Sequence, residues 1–225
     1  MDIAVLGTGM VGQALAGGLT RIGHTVVVGT RDPDATLART DPDGMGNPPF
    51  ATWQAEHPDV TLTTYADATA GADLVVLAGN GAAALDMLAA AGADHLAGKV
   101  LIDISNPLDF SAGFPPSLFV KDTDSLGEQI QAAFPETKVV KSLNTLTASL
   151  MVDPAQLPEG TTVFVSGDDA SAKATVTELL TALGHTDVLD LGGIESARGT
   201  EMLLPLWLRT MGALGTGMFN VKVVR

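Results

Sequence analysis

Short apolar runs recur along the chain near residues 2–6, 25–29, 60–63, 73–78, 99–104, 138–141, 162–166 and 186–190. They have the length of strands and are led by Val, Ile and Leu. Between them lie segments with helical spacing, near 10–22, 81–91, 125–134, 169–183 and 194–220. Regular alternation of strand and helix predicts an α/β fold, a doubly wound and mainly parallel sheet covered on both faces. Leu74-Val75-Val76-Leu77 and Val100-Leu101-Ile102-Asp103-Ile104 are almost continuously apolar, as buried parallel strands should be.

The first of these units carries chemistry. Asp2-Ile3-Ala4-Val5-Leu6 runs into Gly7-Thr8-Gly9-Met10-Val11-Gly12, then a helical run, then Thr25-Val26-Val27-Val28-Gly29-Thr30-Arg31. Gly7 permits the turn out of the strand, Gly9 lets the backbone approach a pyrophosphate, and Gly12 lets helix and strand pack closely. The helix then offers free N–H groups and its positive dipole end to phosphate. A lone glycine motif is weak evidence. Its place between an apolar strand and a helix makes it a dinucleotide loop, and the fold Rossmann-like.

The end of the second strand selects the nucleotide. An NAD site places an acid there for the ribose 2′-hydroxyl; here Thr30 and Arg31 stand instead, and both suit a 2′-phosphate. One charge-assisted contact is worth about 1.5–3 kcal/mol, or roughly 10- to 150-fold in affinity. NADP(H) is therefore the expected cofactor, with Asp32 as ribose partner the competing assignment.

Composition narrows the field. The chain has 225 residues, 46% of them hydrophobic and 4% aromatic, and a formal net charge of −14. It has no cysteine, which excludes disulfides, thiolate catalysis and zinc–cysteine sites. Twelve scattered Lys and Arg are too few for a nucleic-acid surface. No export-type leader and no membrane-spanning run is visible, so a cytoplasmic location is expected. His24, His57, His95 and His185 lack metal-ligand spacing; His24 and His185 are expected on the surface of two similar helix-ending glycine turns.

Residues 40–58, rich in Asp, Pro and Gly, read as irregular: either a flap near the adenosine end or a variable surface loop. The run from Ile194 is apolar around most of its circumference and should be broken by Pro205. The expected division is a nucleotide domain at 1–190 and a helical segment at 191–225. That segment would close the active site, dock against a second subunit as a homodimer, or both; burial within one subunit is the alternative.

Ligands in open parallel sheets bind at the carboxyl ends of strands. Three segments qualify: Ala78-Gly79-Asn80-Gly81, Ser105-Asn106-Pro107, and Ser142-Leu143-Asn144-Thr145. Small residues suit a ribose or nicotinamide, and Asn106 suits a carboxamide; ordinary turn chemistry explains the same residues. No Ser-His-Asp, Cys-His or paired-carboxylate arrangement presents itself. That fits direct hydride transfer, which requires alignment and exclusion of water and no catalytic acid.

Gly-Thr-Gly-Met-Val-Gly, Val-Val-Val-Gly-Thr-Arg, Val-Lys-Ser-Leu-Asn-Thr and the Phe219-Asn220 ending resemble the coenzyme F420-dependent NADP oxidoreductase family, to which STEAP-type metalloreductase domains are related. The resemblance implies a Rossmann domain with a small helical C-terminal part, usually dimeric. It also implies NADP(H) on the glycine loop and Thr30-Arg31, with a deazaflavin or flavin ring stacked on the nicotinamide. It places Asn144 near that second ring, and Thr145, Leu206 and Trp207 are its further expected neighbours. The best-known members carry a His where this chain has Asn144, and a Pro-containing turn where it has Gly79-Asn80-Gly81. The functions open to the sequence are hydride exchange with coenzyme F420, reduction of a flavin, ferric chelate or small carbonyl or imine compound, and non-catalytic NADP(H) sensing.

Overall fold

The computed structural model describes residues 1–42 and 46–225. Its strands are β1 (Asp2–Leu6), β2 (Thr25–Thr30), β3 (Thr61–Thr64), β4 (Leu74–Leu77), β5 (Val100–Asp103), β6 (Leu108–Asp109), β7 (Ser117–Leu118), β8 (Lys138–Ser142), β9 (Thr162–Ser166) and β10 (Asp187–Asp190). The helices are α1 (Met10–Arg21), α2 (Pro33–Leu37), α3 (Phe50–Glu56), α4 (Tyr65–Ala70), α5 (Ala84–Ala91), α6 (Ala93–Leu96), α7 (Leu126–Ala133), α8 (Ala148–Val152), α9 (Ala170–Ala182), α10 (Ala197–Met202) and α11 (Leu204–Leu214). No helix among the described residues is long and apolar enough to cross a membrane.

One sheet has the order β10-β9-β8-β5-β4-β1-β2-β3. Its pairs are parallel except β8 with β9, so β9 and β10 run against the rest. The runs expected as strands are all strands of this sheet. From Ile3 on, the side chains of β1 alternate between two cores: Ile3 and Val5 join Leu15, Leu19 and Val176 on one face, while Ala4 and Leu6 join Leu88, Leu126 and Ile130 on the other. Burial on both faces is why these strands read as unbroken apolar runs. β1 is flanked by β2 and β4, so the strand order reverses beside it and a crevice opens at the carboxyl ends.

Several expectations need correction. Residues 40–58 are not irregular throughout, because Phe50–Glu56 is helical and Phe50 is buried. Asp43, Gly44 and Met45 of that segment lie outside the described residues. The C-terminal run is not one helix to 220. α10 and α11 separate at Leu203, where Pro205 lacks the N–H that would continue the ladder. α11 ends at Gly215, in the left-handed conformation at φ +68°, and the tail lies along β9, with Thr162 N–H donating to the Val221 carbonyl at 3.0 Å. Only part of the run is buried: Leu204 and Leu208 are covered, while Leu206 (62%) and Leu214 (58%) are exposed.

His185 is not on the surface. The two glycine turns do form, with Gly23 at φ +93° and Gly184 at +105°. His185 nevertheless turns inward, is buried, and donates from Nε2 to the Met151 carbonyl at 3.0 Å, leaving Nδ1 unpartnered. Burial pushes its pKa below the ordinary histidine value, against the smaller upward effect of that bond. The unfolded chain then takes up the proton first, so stability is complete above about pH 6.5 and falls as pH drops through the folded-state value. Thermal unfolding of the wild type should decline more steeply between pH 7.5 and 5.5 than that of His185→Gln, which keeps a donor to Met151. Parallel declines would contradict this.

Candidate active site

The glycine loop joins the end of β1 to α1. Gly7 adopts φ +128°, and a Cβ on Gly12 would stand 2.0 Å from the Gly7 carbonyl oxygen, so both positions require glycine. Gly9 differs: a Cβ there would meet nothing within 4 Å, because that side of the residue faces open space. Gly9 also caps α1 without any side-chain bond, so the first N–H groups of the helix point outward unclaimed. A pyrophosphate fits this cradle of open space, free donors and a positive helix end.

Two cavities meet at Gly9. One, of about 460 Å³, is lined by Thr8, Gly9, Gln13, Thr36, the Arg39–Pro42 stretch with its acid Asp41, and the Pro48–Phe50 stretch. The other, of about 350 Å³, is lined by Gly9, Met10, Val11, Asn47, Ala78–Gly81, Ile104–Asn106, Leu108 and Phe110. The first lies toward β2 and α2, where an adenosine half belongs; the second lies over the ends of β4 and β5, where a nicotinamide half belongs.

At the adenosine side Arg31 and Asp32 stand in different surroundings. Asp32 caps α2, its Oδ1 accepting from Ala35 N–H at 2.9 Å, so its carboxylate already has a task. Arg31 is exposed and has no ion-pair partner among the described residues. It lies close enough to Tyr65 for its charge to oppose the upward push that burial gives the phenol. Thr30 is buried, and its hydroxyl is 3.0 Å from that of Thr36. Since Thr36 donates to the Asp32 carbonyl, the Thr30 hydroxyl is the donor of that pair. Arg39, unremarked in the sequence, is the cation that lines this cavity; Arg31 stands outside its lining.

At the nicotinamide side, Met10, Val11, Ala78, Gly79, Asn80, Ser105 and Asn106 all line one cavity. Pro107 lies just beyond its lining. Asn80 Oδ1 accepts from Ala82 N–H at 2.9 Å and starts the next helical turn. A Cβ on Gly81 would lie 2.0 Å from the Asn106 carbonyl oxygen, so this glycine lets two strand-end loops touch.

Asn106 does not present its amide freely. Its Nδ2 donates to the Asn144 carbonyl at 2.9 Å, and its Oδ1 accepts from Asn144 Nδ2 at 3.0 Å. Asn144 and Thr145 are buried behind Asn106, with Asn144 also donating to the Thr200 carbonyl at 3.1 Å. Leu206 faces outward, and Trp207 stacks on Phe219 at 5.3 Å between ring centroids. None of Asn144, Thr145, Leu206 and Trp207 lines either cavity.

Beneath this floor lies a charge cluster that the sequence analysis missed. Lys141 Nζ is fully buried and lies 2.8 Å from Asp103 Oδ2, 2.8 Å from Glu201 Oε1 and 2.6 Å from the Ser105 carbonyl. Asp103 Oδ1 accepts from both Ser105 N–H (2.9 Å) and Ser105 Oγ (2.6 Å). Glu201 accepts from Leu126 and Gly127 N–H at the start of α7, where the helix dipole favours its charge. Burial acts against the Lys141 ammonium, but the two carboxylates outweigh it and hold its pKa above the ordinary lysine value. A paired carboxylate thus exists after all, but it is neutralised by Lys141 and buried below the cavity, so it is structural. The signal was present: a charged residue inside a run such as Val100–Ile104 must find a partner.

The comparisons with known proteins agree with this geometry. A family model described as NADP oxidoreductase, coenzyme F420-dependent, matches residues 2–107. A crystal structure from Arthrobacter sp. FB24, provisionally named an F420-dependent NADP-reductase, is 60% identical over 100% of both chains, with a TM-score of 0.95. The chain belongs to that family. The F420-dependent NADP reductase of Methanothermobacter marburgensis is 28% identical over 92% of this chain and 90% of its own. Rat metalloreductase STEAP3 is 31% identical over 95% of this chain, which spans 39% of the metalloreductase. Membership of the family makes the protein an NADP-dependent oxidoreductase, and NADP(H) is the cofactor that the free α1 N–H groups and the paired cavities accommodate.

Removing Lys141 leaves two buried carboxylates facing each other. Lys141→Met should lower the unfolding free energy by about 3–5 kcal/mol in urea titrations. A loss below about 1 kcal/mol would contradict the role given to this cluster.

Proposed function

We propose that the protein transfers hydride reversibly between NADP(H) and coenzyme F420. The observation that carries the reading is the chemistry of the nicotinamide-side cavity. Among the described residues that line it, none has a titratable side chain: glycines, alanine, apolar residues, Asn47, Asn80, Ser105 and Asn106 make up the wall. The Ser105 hydroxyl is already given to Asp103. A small carbonyl or imine acceptor develops charge on one oxygen or nitrogen and needs a placed proton donor. A delocalised ring spreads that charge and takes its proton from solvent. The family description and the names of the Arthrobacter and Methanothermobacter relatives support the same acceptor.

NADPH supplies the hydride when bound. The protein's part is to hold the pyrophosphate on the free α1 N–H groups, orient the nicotinamide against Gly79 and Asn106, and keep water from the reacting faces. The balance is NADPH, acceptor and one proton giving NADP⁺ and reduced acceptor. We assign the 2′-phosphate to Arg39, which lines the adenosine-side cavity, and to Arg31, which stands outside that lining. The exposed apolar residues Leu206, Leu214 and Met218 suit a second copy of the chain, giving a homodimer. A ferric chelate is the second reading of the acceptor, favoured by the similarity to the metalloreductase.

Mixing the protein with F420 and either NADPH or NADH, and following absorbance, tests the proposal. NADPH should reduce F420 with NADH at least about tenfold less effective at equal subsaturating concentration. Oxidation of NADPH by a ferric chelate or a flavin, with none by F420, would overturn it.

A further inference from the structure

The loop that leaves β5 does more than floor the cavity. Directly after Asn106 the chain forms the small antiparallel hairpin of β6 and β7, pairing Leu108 with Leu118 and Asp109 with Ser117. Its base is tied to the site, since Phe119 N–H donates to the Pro107 carbonyl at 2.9 Å and Leu108 N–H to the Asn106 carbonyl at 2.9 Å. The first residue past β6 is Phe110, which lines the nicotinamide-side cavity and is still 55% exposed. Its turn is closed by Gly113 N–H on the Phe110 carbonyl at 2.9 Å. Phe110 stacks on no other ring among the described residues, whereas Phe50 and Phe219 each have an aromatic neighbour.

A scattered exposed Phe is unremarkable. This one is different in place. It lines a cavity that also includes Gly9, Gly79 and Gly81, on a hairpin anchored to the strand end that carries Asn106. Flat rings bind best to flat partners, and stacked aromatic pairs gain beyond the area they bury. We propose that Phe110 is the specificity residue for the hydride acceptor, presenting its ring to a planar, polycyclic aromatic acceptor seated over the nicotinamide. The inference rests on the reading that a second ring occupies this cavity, and it adds the residue that selects for such a ring. It also explains why a compact acceptor gains nothing here: with no titratable group and one exposed ring, the cavity rewards area and flatness.

The test uses ring binding, separately from turnover. F420 and riboflavin are titrated into NADP⁺-saturated wild type, Phe110→Ala, Phe110→Leu and Phe110→Tyr, followed by ring fluorescence, with NADPH affinity measured alongside. Phe110 is exposed, so these variants are expected to fold. Phe110→Ala should weaken binding of at least one ring about five- to tenfold, Phe110→Tyr should restore it, and Phe110→Leu should not. NADPH affinity should stay within about twofold. Failure of both rings to bind the wild type, unchanged binding by Phe110→Ala, full rescue by Leu, or an equal loss of NADPH affinity would each overturn the assignment. A ring that binds through Phe110 but accepts no hydride would overturn the proposed activity and leave the assignment standing.

Discussion

Lys141, a lysine without solvent contact, ties the centre of the sheet to both the nucleotide cleft and the C-terminal segment. Its ammonium meets Asp103 from β5, Glu201 from α10 and the carbonyl of Ser105. From Ser105 the chain passes to Asn106, which exchanges two hydrogen bonds with Asn144, and Asn144 donates to the carbonyl of Thr200, the neighbour of Glu201. The ring is closed. A buried charge left unpaired costs several kcal/mol, so the parts of this ring stand or fall together. The cavity floor inherits that rigidity, and so does the docking of α10 against α7.

This arrangement separates two kinds of polar group. Charges that hold the architecture lie below the floor, matched to one another. The surface facing the nicotinamide half holds no titratable side chain among the described residues. In the proposed function, binding is left to backbone N–H groups, to glycines that let loops approach, and to cations at the adenosine end. For hydride transfer that division is appropriate, because alignment and exclusion of water matter more than proton traffic at the reacting carbon. The −14 net charge makes Arg31 and Arg39 more telling, since few cations are available to meet phosphate.

The strands and the glycine loop were legible in the sequence because each follows from a local rule. Buried parallel strands need apolar runs, and Gly7, Gly9 and Gly12 each answer a separate steric demand. Short helices such as Ala148–Val152, and the hairpin at Leu108–Leu118, are below the length at which periodicity speaks. Asn144, Leu206 and Trp207 were placed near a second ring by strand-end position, by an apolar C-terminal run and by resemblance; the fold puts Asn144 behind Asn106 and leaves Leu206 facing outward. The Lys141 cluster joins residues 98 positions apart from Asp103 to Glu201, a proximity that no local pattern encodes. His185 shows the same limit: its glycine turn was foreseen, but the side chain turns inward to a hydrogen bond with the Met151 carbonyl, 34 positions away in sequence.

A crystal structure of the protein with NADP⁺ tests the central claim most directly, namely that the two cavities meeting at Gly9 are the halves of one dinucleotide site. The pyrophosphate should lie on the N–H groups of Met10 and Val11. The 2′-phosphate should face Arg31 and Arg39, and the nicotinamide should lie between Gly79 and Asn106 with one face open toward Phe110. A nicotinamide placed away from Gly79 and Asn106, or a 2′-phosphate free of both arginines, would contradict the account.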